Sequence, residues 1–315
     1  MRTLISMLLV IFCADAIGAE PIQNPVRLTA LQEVISHLDT CKTATLSAYT
    51  LASGSTIVDA LERAADRGCR VNVVLDGRAF GVGRTRNEAV IPELQSHRIR
   101  AIVSGHPLHL KLAIFDSAFA YMSDRNWASS GDSLVYEDRD RGDFSMLYRA
   151  LVCSYDMRDE IQQQCPPKGN NHLWVVKGDA LRAEAAVILS NKARDISVES
   201  ESFGSNTPVF DAVVQMAQRG IHVRVLVADL EFRQRKSTAE RRALAQLIQL
   251  GVAVRVGPAS EKIAINGPCA FAGSANNTHG LAEQIDFGLA YCGTTFSRTL
   301  AEHFETNWAA ASAVR

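Results

Sequence analysis

The chain reads as an α/β protein made of two copies of one lobe. Three features predict this. Helical and β-branched patterns alternate along the chain, one helix–strand string occurs twice about 150 residues apart, and both copies end their helix in Arg-Gly. Taken in order, TATLSAYTL at 43–51 reads as a first strand. ALERAADRG at 60–68 then places apolar residues at helical spacing, and VNVVLD follows at 71–76 as a β-branched run. The second copy opens with DISVESESF at 195–203. AVVQMAQRG at 212–220 and HVRVLVAD at 222–229 continue it, so Gly220 answers Gly68 as the residue past the helix end. Each half is expected to run strand, helix, strand, loop, helix, strand, then a further hairpin, with right-handed crossovers. A period this long is a duplicated domain, far above the 20–50 residues of a solenoid repeat.

At 315 residues the chain accommodates two lobes of about 150 residues, each with its own core. Thirty-three basic residues against 34 acidic ones exclude a generally basic polyanion binder, though not a local basic cleft. Arg2, the apolar run Leu4–Phe12 and small residues up to Ala19 read as a secretory leader over 1–19, cleaved after Ala16 or Ala19. The expected lobes are 20–165 and 166–315, joined within the polar stretch 154–175 that holds Pro166-Pro167 and Gly169-Asn170. An exported chain, periplasmic or secreted, is expected to oxidise its cysteines. Cys41 and Cys69 each precede one of two parallel strands joined by a helix. Cys269 opens a strand and Cys292 closes one running back beside it, which leaves Cys153 with Cys165. No Cys-x-x-Cys pair or His cluster stands at metal-ligand spacing, so neither metal nor cofactor is expected.

The chemistry is concentrated at 109–126, HLKLAIFDSAFAYMSDRN. His109 and Lys111, two apart on an apolar run, project from one face of a strand. Asp116 ends the run and Asn126 follows ten residues later. An imidazole, an ammonium and a carboxamide meeting at one strand edge suit a phosphate: the imidazole attacks phosphorus while the others hold the oxygens. The pattern His-x-Lys-x4-Asp, followed six residues on by Ser123-Asp124-Arg125-Asn126, resembles the phospholipase D superfamily. In the second copy Asn266, Ser274 and Asn276 stand 150 positions after Asp116, Asp124 and Asn126. The His and Lys are not repeated there. A gapless alignment puts Ala259 and Glu261 in their places, and a one-residue deletion puts Ser260 and Lys262 there.

The resemblance implies two α/β lobes packed around a shared active-site seam, with one His from each lobe, one as nucleophile and one as acid for the leaving oxygen. It implies His109 as the nucleophile forming a phosphohistidine, Asp143 as the acid orienting its ring, and Asp286 as the counterpart of Asp143 in lobe 2. Lys111 and Asn126 would hold phosphate oxygens from lobe 1, and Ser274, Asn276 and Lys262 from lobe 2, with Asp116 fixing local geometry. Asp124 stands where a small hydroxyl is expected. An anion 4 Å from a phosphate costs about 1 kcal/mol in water and about 4 kcal/mol at an effective dielectric of 20. Asp124 must therefore point away, pair with Arg125 or be protonated, and in that last state it or Glu261 could replace the missing acid.

Basic residues follow the second strand of each lobe, where parallel sheets bind ligands: Arg78, Arg84 and Arg86, then Arg233, Arg235, Lys236, Arg241 and Arg242. Arg84, Arg86, Arg235 and Lys236 are the expected polyanion contacts. Phe80 and Phe232 lie nearby without a long apolar stretch, which leans away from a membrane-inserting surface. The function expected is an exported phosphodiesterase, its partner a phosphodiester substrate, nucleic acid before phospholipid, with no obligate protein partner. The alternatives are an inactive phosphate- or polyanion-binding relative and a phospholipase acting on lipid head groups.

Overall fold

The computed structural model describes residues 26–79, 81–127, 134–156, 164–190, 192–228, 238–257, 259 and 261–314. The leader expected over 1–19 lies outside them, as do Phe80, Phe232, Arg233, Arg235, Lys236 and Ser260.

The first lobe runs β1 (Val26–Thr29), α1 (Leu31–Leu38), β2 (Thr43–Ala48), α2 (Thr56–Asp66), β3 (Arg70–Asp76), α3 (Val82–Ser96), β4 (Arg100–Ser104), β5 (Lys111–Phe115), β6 (Phe119–Ser123), β7 (Val135–Asp138) and α4 (Arg141–Tyr155). The second runs β8 (Leu173–Val176), α5 (Lys177–Ile188), β9 (Asp195–Ser200), α6 (Pro208–Gln218), β10 (His222–Ala228), α7 (Thr238–Gln249), β11 (Ala253–Gly257), β12 (Ile263–Asn266), β13 (Cys269–Gly273), β14 (Ile285–Cys292), α8 (Thr295–Ala310) and β15 (Ser312–Ala313). The sheet orders β4-β3-β2-β5-β6-β7-β1 and β11-β10-β9-β12-β13-β14-β8 superpose strand for strand, with β15 added beside β11. In each, three strands are parallel and the hairpin strands that follow are antiparallel. The duplication read from sequence is therefore a duplication of sheet topology.

The matching Arg-Gly pairs end α2 and α6 by one mechanism. Gly68 (φ +99°) and Gly220 (φ +76°) take the left-handed conformation that lets the chain turn back. Cys69 N–H then donates to Ala64 O (3.0 Å) and Ile221 N–H to Met216 O (3.1 Å), which satisfies carbonyls the helix leaves open.

Residues of both sheets share one core. Leu112, Ile114 and Met122 of lobe 1 belong to the same buried cluster as Ile263, Ala272, Phe287 and Leu289 of lobe 2, with Leu151 of α4 and Phe304 of α8. The other face of each sheet is covered by its own helices, through Ile57, Leu61 and Leu94 in lobe 1 and Val209, Val213 and Leu247 in lobe 2. This α/β/β/α layering holds the hairpin strands of the two lobes against one another.

The three expected cysteine pairs are closed: Cys41–Cys69, Cys153–Cys165 and Cys269–Cys292. The first spans 28 residues and the second 12. Loop-closure entropy gives about 3.6 kcal/mol for the longer loop and about 2.9 kcal/mol for the shorter. Cys41→Ser with Cys69→Ser should therefore lower the melting temperature more than Cys153→Ser with Cys165→Ser. Equal shifts in thermal unfolding would show that loop length does not govern their effect. Among the described residues no helix is long and apolar enough to cross a membrane.

Candidate active site at the seam between the lobes

The segment entering β5 pairs with the other lobe. His109 N–H donates to Ile285 O (2.8 Å), Ile285 N–H donates to Pro107 O (2.9 Å), and Leu108 bridges Ile285 in parallel. Leu108 N–H also donates to Asp76 Oδ2 (2.9 Å) at the end of β3. His109 is thereby fixed where β5 meets the start of β14, and the residue after Ile285 is Asp286.

His109 Nδ1 lies 2.9 Å from Asp286 Oδ1, an oxygen that also accepts from Ser274 Oγ at 2.7 Å. Ser274 is held in turn by Phe287 N–H, which donates to its Oγ (3.0 Å). Lys111 Nζ lies 2.9 Å from His109 Nε2 and 3.0 Å from Nδ1, and the Tyr49 ring meets the imidazole edge-on at 5.4 Å. Asn126 Oδ1 accepts from Thr50 N–H (3.2 Å), the residue next to Tyr49.

Burial, then the Lys111 charge, holds His109 down to about 4 against the opposing pull of Asp286. Burial and the Lys262 charge hold Lys111 down to about 7. Burial alone would push the Asp286 carboxyl up, but His109, Lys111 and Ser274 outweigh it and keep the carboxyl below its ordinary range. The consistent state near neutrality is a neutral imidazole that donates Nδ1–H to an anionic Asp286. This leaves the Nε2 lone pair facing an ammonium. Such an arrangement can attack phosphorus and can neutralise a phosphate.

The acid on His109 Nδ1 is Asp286 and not Asp143. Asp143 sits in the first turn of α4, its N–H bonded to the helix-capping Asp140, and its carboxylate takes His172 Nε2 (2.6 Å) and Asn170 Nδ2 (2.8 Å). Asp143 therefore ties the loop before β8 to α4. The resemblance implied an orienting role for Asp143, but the Asp140 cap starts a helix there and turns it to other partners. Asp116 does not reach the site either. It occupies the turn at the far end of β5, where its Oδ1 accepts from Lys42 N–H (2.9 Å) and Thr43 N–H (2.7 Å). Asn266 does the same in lobe 2, accepting from Ala193 N–H (2.9 Å).

Strand register decides between the two alignments of the second copy. Lys111 pairs with Ser123 across β5–β6, and Ile263 pairs with Ala272, so Lys262 stands opposite Gly273. The β5–β6 turn holds three residues, 116–118, and the β12–β13 turn two, 267–268. Lys262 is thus the counterpart of Lys111, and position 260 answers His109. Lys262 is buried, its Nζ 3.2 Å from Glu201 Oε2 and 3.4 Å from Asp124 O, and burial lowers its pKa. Glu261 points elsewhere, with Oε2 3.6 Å from His303 Nε2.

Asp124 is buried and its carboxyl oxygens have no hydrogen-bond partner. Burial, then the Glu261 charge, pushes it up to about 7. It points inward, so the surface pair with Arg125 is not formed. Asn276 is half-buried, with an unpartnered Oδ1. Arg84 and Arg86 are exposed and lie in the first two turns of α3, not in a loop. Sequence reading missed two buried groups. Asp76 closes β3 at the carboxyl edge of the parallel strands, a place that could have drawn notice. Lys177 opens α5, and its charge is felt by Asp286; its sequence surroundings carry no such signal.

The phospholipase D-like domain family of the cardiolipin synthase type matches residues 34–138 and 187–308, most of the chain and both lobes. The chain belongs to the phospholipase D superfamily. Among solved structures this phospholipase D-like chain is similar to the phosphatidylserine synthase of Haemophilus influenzae Rd KW20, at 10% identity and TM-score 0.67, covering 92% of this chain and 87% of that one. It is also similar to the polyphosphate kinase of Porphyromonas gingivalis, at 15% identity and TM-score 0.62, covering 89% of this chain. The chain spans 50% of the length of that kinase. The phospholipase D family member Nuc of Salmonella typhimurium matches at 19% identity and TM-score 0.38, covering 42% of this chain and 88% of Nuc. No curated protein matches the sequence. The likenesses to the synthase and the kinase, each covering both lobes, agree with the fold of this phospholipase D-like protein, two lobes meeting at one seam.

Proposed function

We propose that this chain is an exported phosphodiesterase working through a covalent phosphohistidine on His109. Its leader would be residues 1–19, and its lobes 20–165 and 166–315. The observation that carries the reading is the placement of the His109 imidazole between the two lobes. Its Nδ1 lies on Asp286 across the seam, and its Nε2 faces the buried Lys111. A phosphate oxygen is a stronger acceptor than Nε2, so an arriving diester draws the Lys111 ammonium onto itself and uncovers the lone pair. Nε2 then attacks phosphorus, a P–N bond forms, one P–O ester bond breaks and the departing oxygen takes a proton from solvent. Water attacks the phosphohistidine, a P–O bond forms, the P–N bond breaks, the water proton passes to solvent, and the phosphomonoester leaves the restored imidazole. Lys111, Lys262, Asn126, Ser274 and Asn276 are the groups for the phosphoryl oxygens. The exposed Arg84 and Arg86 favour nucleic acid as the polyanion.

A second reading, a phosphate-binding protein without turnover, is favoured by the absent second His. Incubation with an aryl phosphodiester separates the two. Steady release of the phenol, with an acid-labile phosphoryl group trapped on His109, supports the enzyme; tight phosphate binding without release supports the alternative. Salt-sensitive binding of single-stranded DNA, set against binding to anionic vesicles, separates nuclease from phospholipase.

The rate should follow the two shifted groups. Attack needs neutral His109, so kcat/KM on an aryl diester should rise through about pH 4 instead of the ordinary 6.5. It should fall above about 7 as Lys111 gives up the proton that makes it a cation. An acid limb centred near 6.5 would mean that His109 is a solvated imidazole and that its burial has no part in the mechanism.

A further inference from the structure

A second cluster, which includes neither His109 nor Asp286, lies in lobe 2. Glu199 in β9 and Glu261 before β12 are buried, and His303 reaches them from α8. One ligand-capable atom from each of the three lies within 4.8 Å of the others. Asn307, one turn after His303 on the same helix face, places Nδ2 2.9 Å from His303 Nε2 and 3.2 Å from Glu199 Oε1. An imidazole that accepts at Nε2 carries its proton on Nδ1, so the Nε2 lone pair on the carboxylate side is one that a cation could take.

Asp124, Glu199 and Glu261 are three buried carboxyls, and the buried ammonium of Lys262 interacts with Asp124, Glu261 and Glu201. Independently, the Tyr136 hydroxyl is fully buried without a hydrogen-bond partner, and the charges acting on it are those of Asp124, Glu261 and Glu199. A buried, unpartnered oxygen facing three carboxyls marks a place for a further group.

We propose that Glu199, Glu261 and His303 form a binding site for one divalent transition-metal ion, with Zn²⁺ the best match. Two carboxylates and an imidazole suit zinc, and the nitrogen donor disfavours Mg²⁺ and Ca²⁺. Bonds of about 2.1 Å place tetrahedral ligands about 3.4 Å apart. His303 Nε2 and Glu261 Oε2 are at 3.6 Å, so that pair needs little contraction, and the other two pairs, within 4.8 Å, need at most about 1.4 Å. Turning the Asn307 amide over would present its Oδ1 as a fourth donor. The spacing escaped sequence reading because 199, 261 and 303 come from three separate elements. The metal proposal does not depend on the proposed phosphodiesterase chemistry.

The test uses the full exported chain, without a polyhistidine tag, freed of metal by chelation and titrated with ZnCl₂. Calorimetry should show one Zn²⁺ per chain and a raised melting temperature, and excess MgCl₂ should not compete. His303→Ala and Glu199→Gln should each weaken binding at least tenfold. His222→Ala, which removes an exposed imidazole paired with Asp195, should leave it unchanged. If Glu199→Gln fails to fold, the partly exposed His303 and the visible absorption of the Co²⁺-loaded wild type decide instead. Absence of stoichiometric zinc in the wild type, or full affinity in His303→Ala, overturns the proposal and assigns the cluster to a retained proton or a buried water.

Discussion

Replacing His109 with alanine is expected to lower phosphodiester turnover by about 10⁴-fold or more, because it removes the proposed nucleophile. The fold should survive. His109 contributes little to the apolar core, and its removal leaves Asp286 with Ser274 Oγ still donating to it. The expected loss is about 1–3 kcal/mol for the missing hydrogen bond. His109→Asn provides the control, since its Nδ2 can donate to Asp286 without supplying a nucleophile. It should recover part of the stability and none of the rate. Wild-type turnover of a reporter diester in His109→Ala would mean that the nucleophile has been misassigned.

The second large effect concerns the leaving group. Lobe 2 brings Lys262 to the seam but no imidazole, and register makes position 260 the counterpart of His109. A positioned general acid contributes about 10²–10⁴-fold to departure of a poor leaving group. Alkyl diesters should therefore turn over slowly, while aryl diesters, whose phenolates leave without a proton, should be spared. Ser260→His should speed alkyl diesters by about 10²-fold and leave aryl rates nearly unchanged. The same change at Ala259 should do little, because the one-residue-shorter β12–β13 turn shifts that position out of register. Equal wild-type rates on alkyl and aryl substrates would show that an efficient acid is already present, with the buried Asp124 the first residue to examine.

Much of this molecule is written locally in its chain. The β-branched runs, the Arg-Gly helix ends at 67–68 and 219–220, and the His-x-Lys spacing are short-range patterns. Strand alternation and the left-handed glycine follow from them without knowledge of the partner lobe. The cysteine pairs were legible for the same reason, since each joins elements whose adjacency follows from chain order. The choice of Asp286 over Asp143 was not. Both are acids before an apolar run, and what separates them is the cross-lobe pairing of His109 with Ile285, a contact 176 residues apart in sequence. The alignment of lobe 2 was open because one residue gained or lost in a turn leaves two pairings equally plausible on paper, and only hydrogen-bond register distinguishes them. The carboxylate–imidazole cluster under α8 and the depressed basicity of His109 and Lys111 belong to the same class. Burial and proximity arise when two sheets close on one core, and neither quantity resides in any single stretch of sequence.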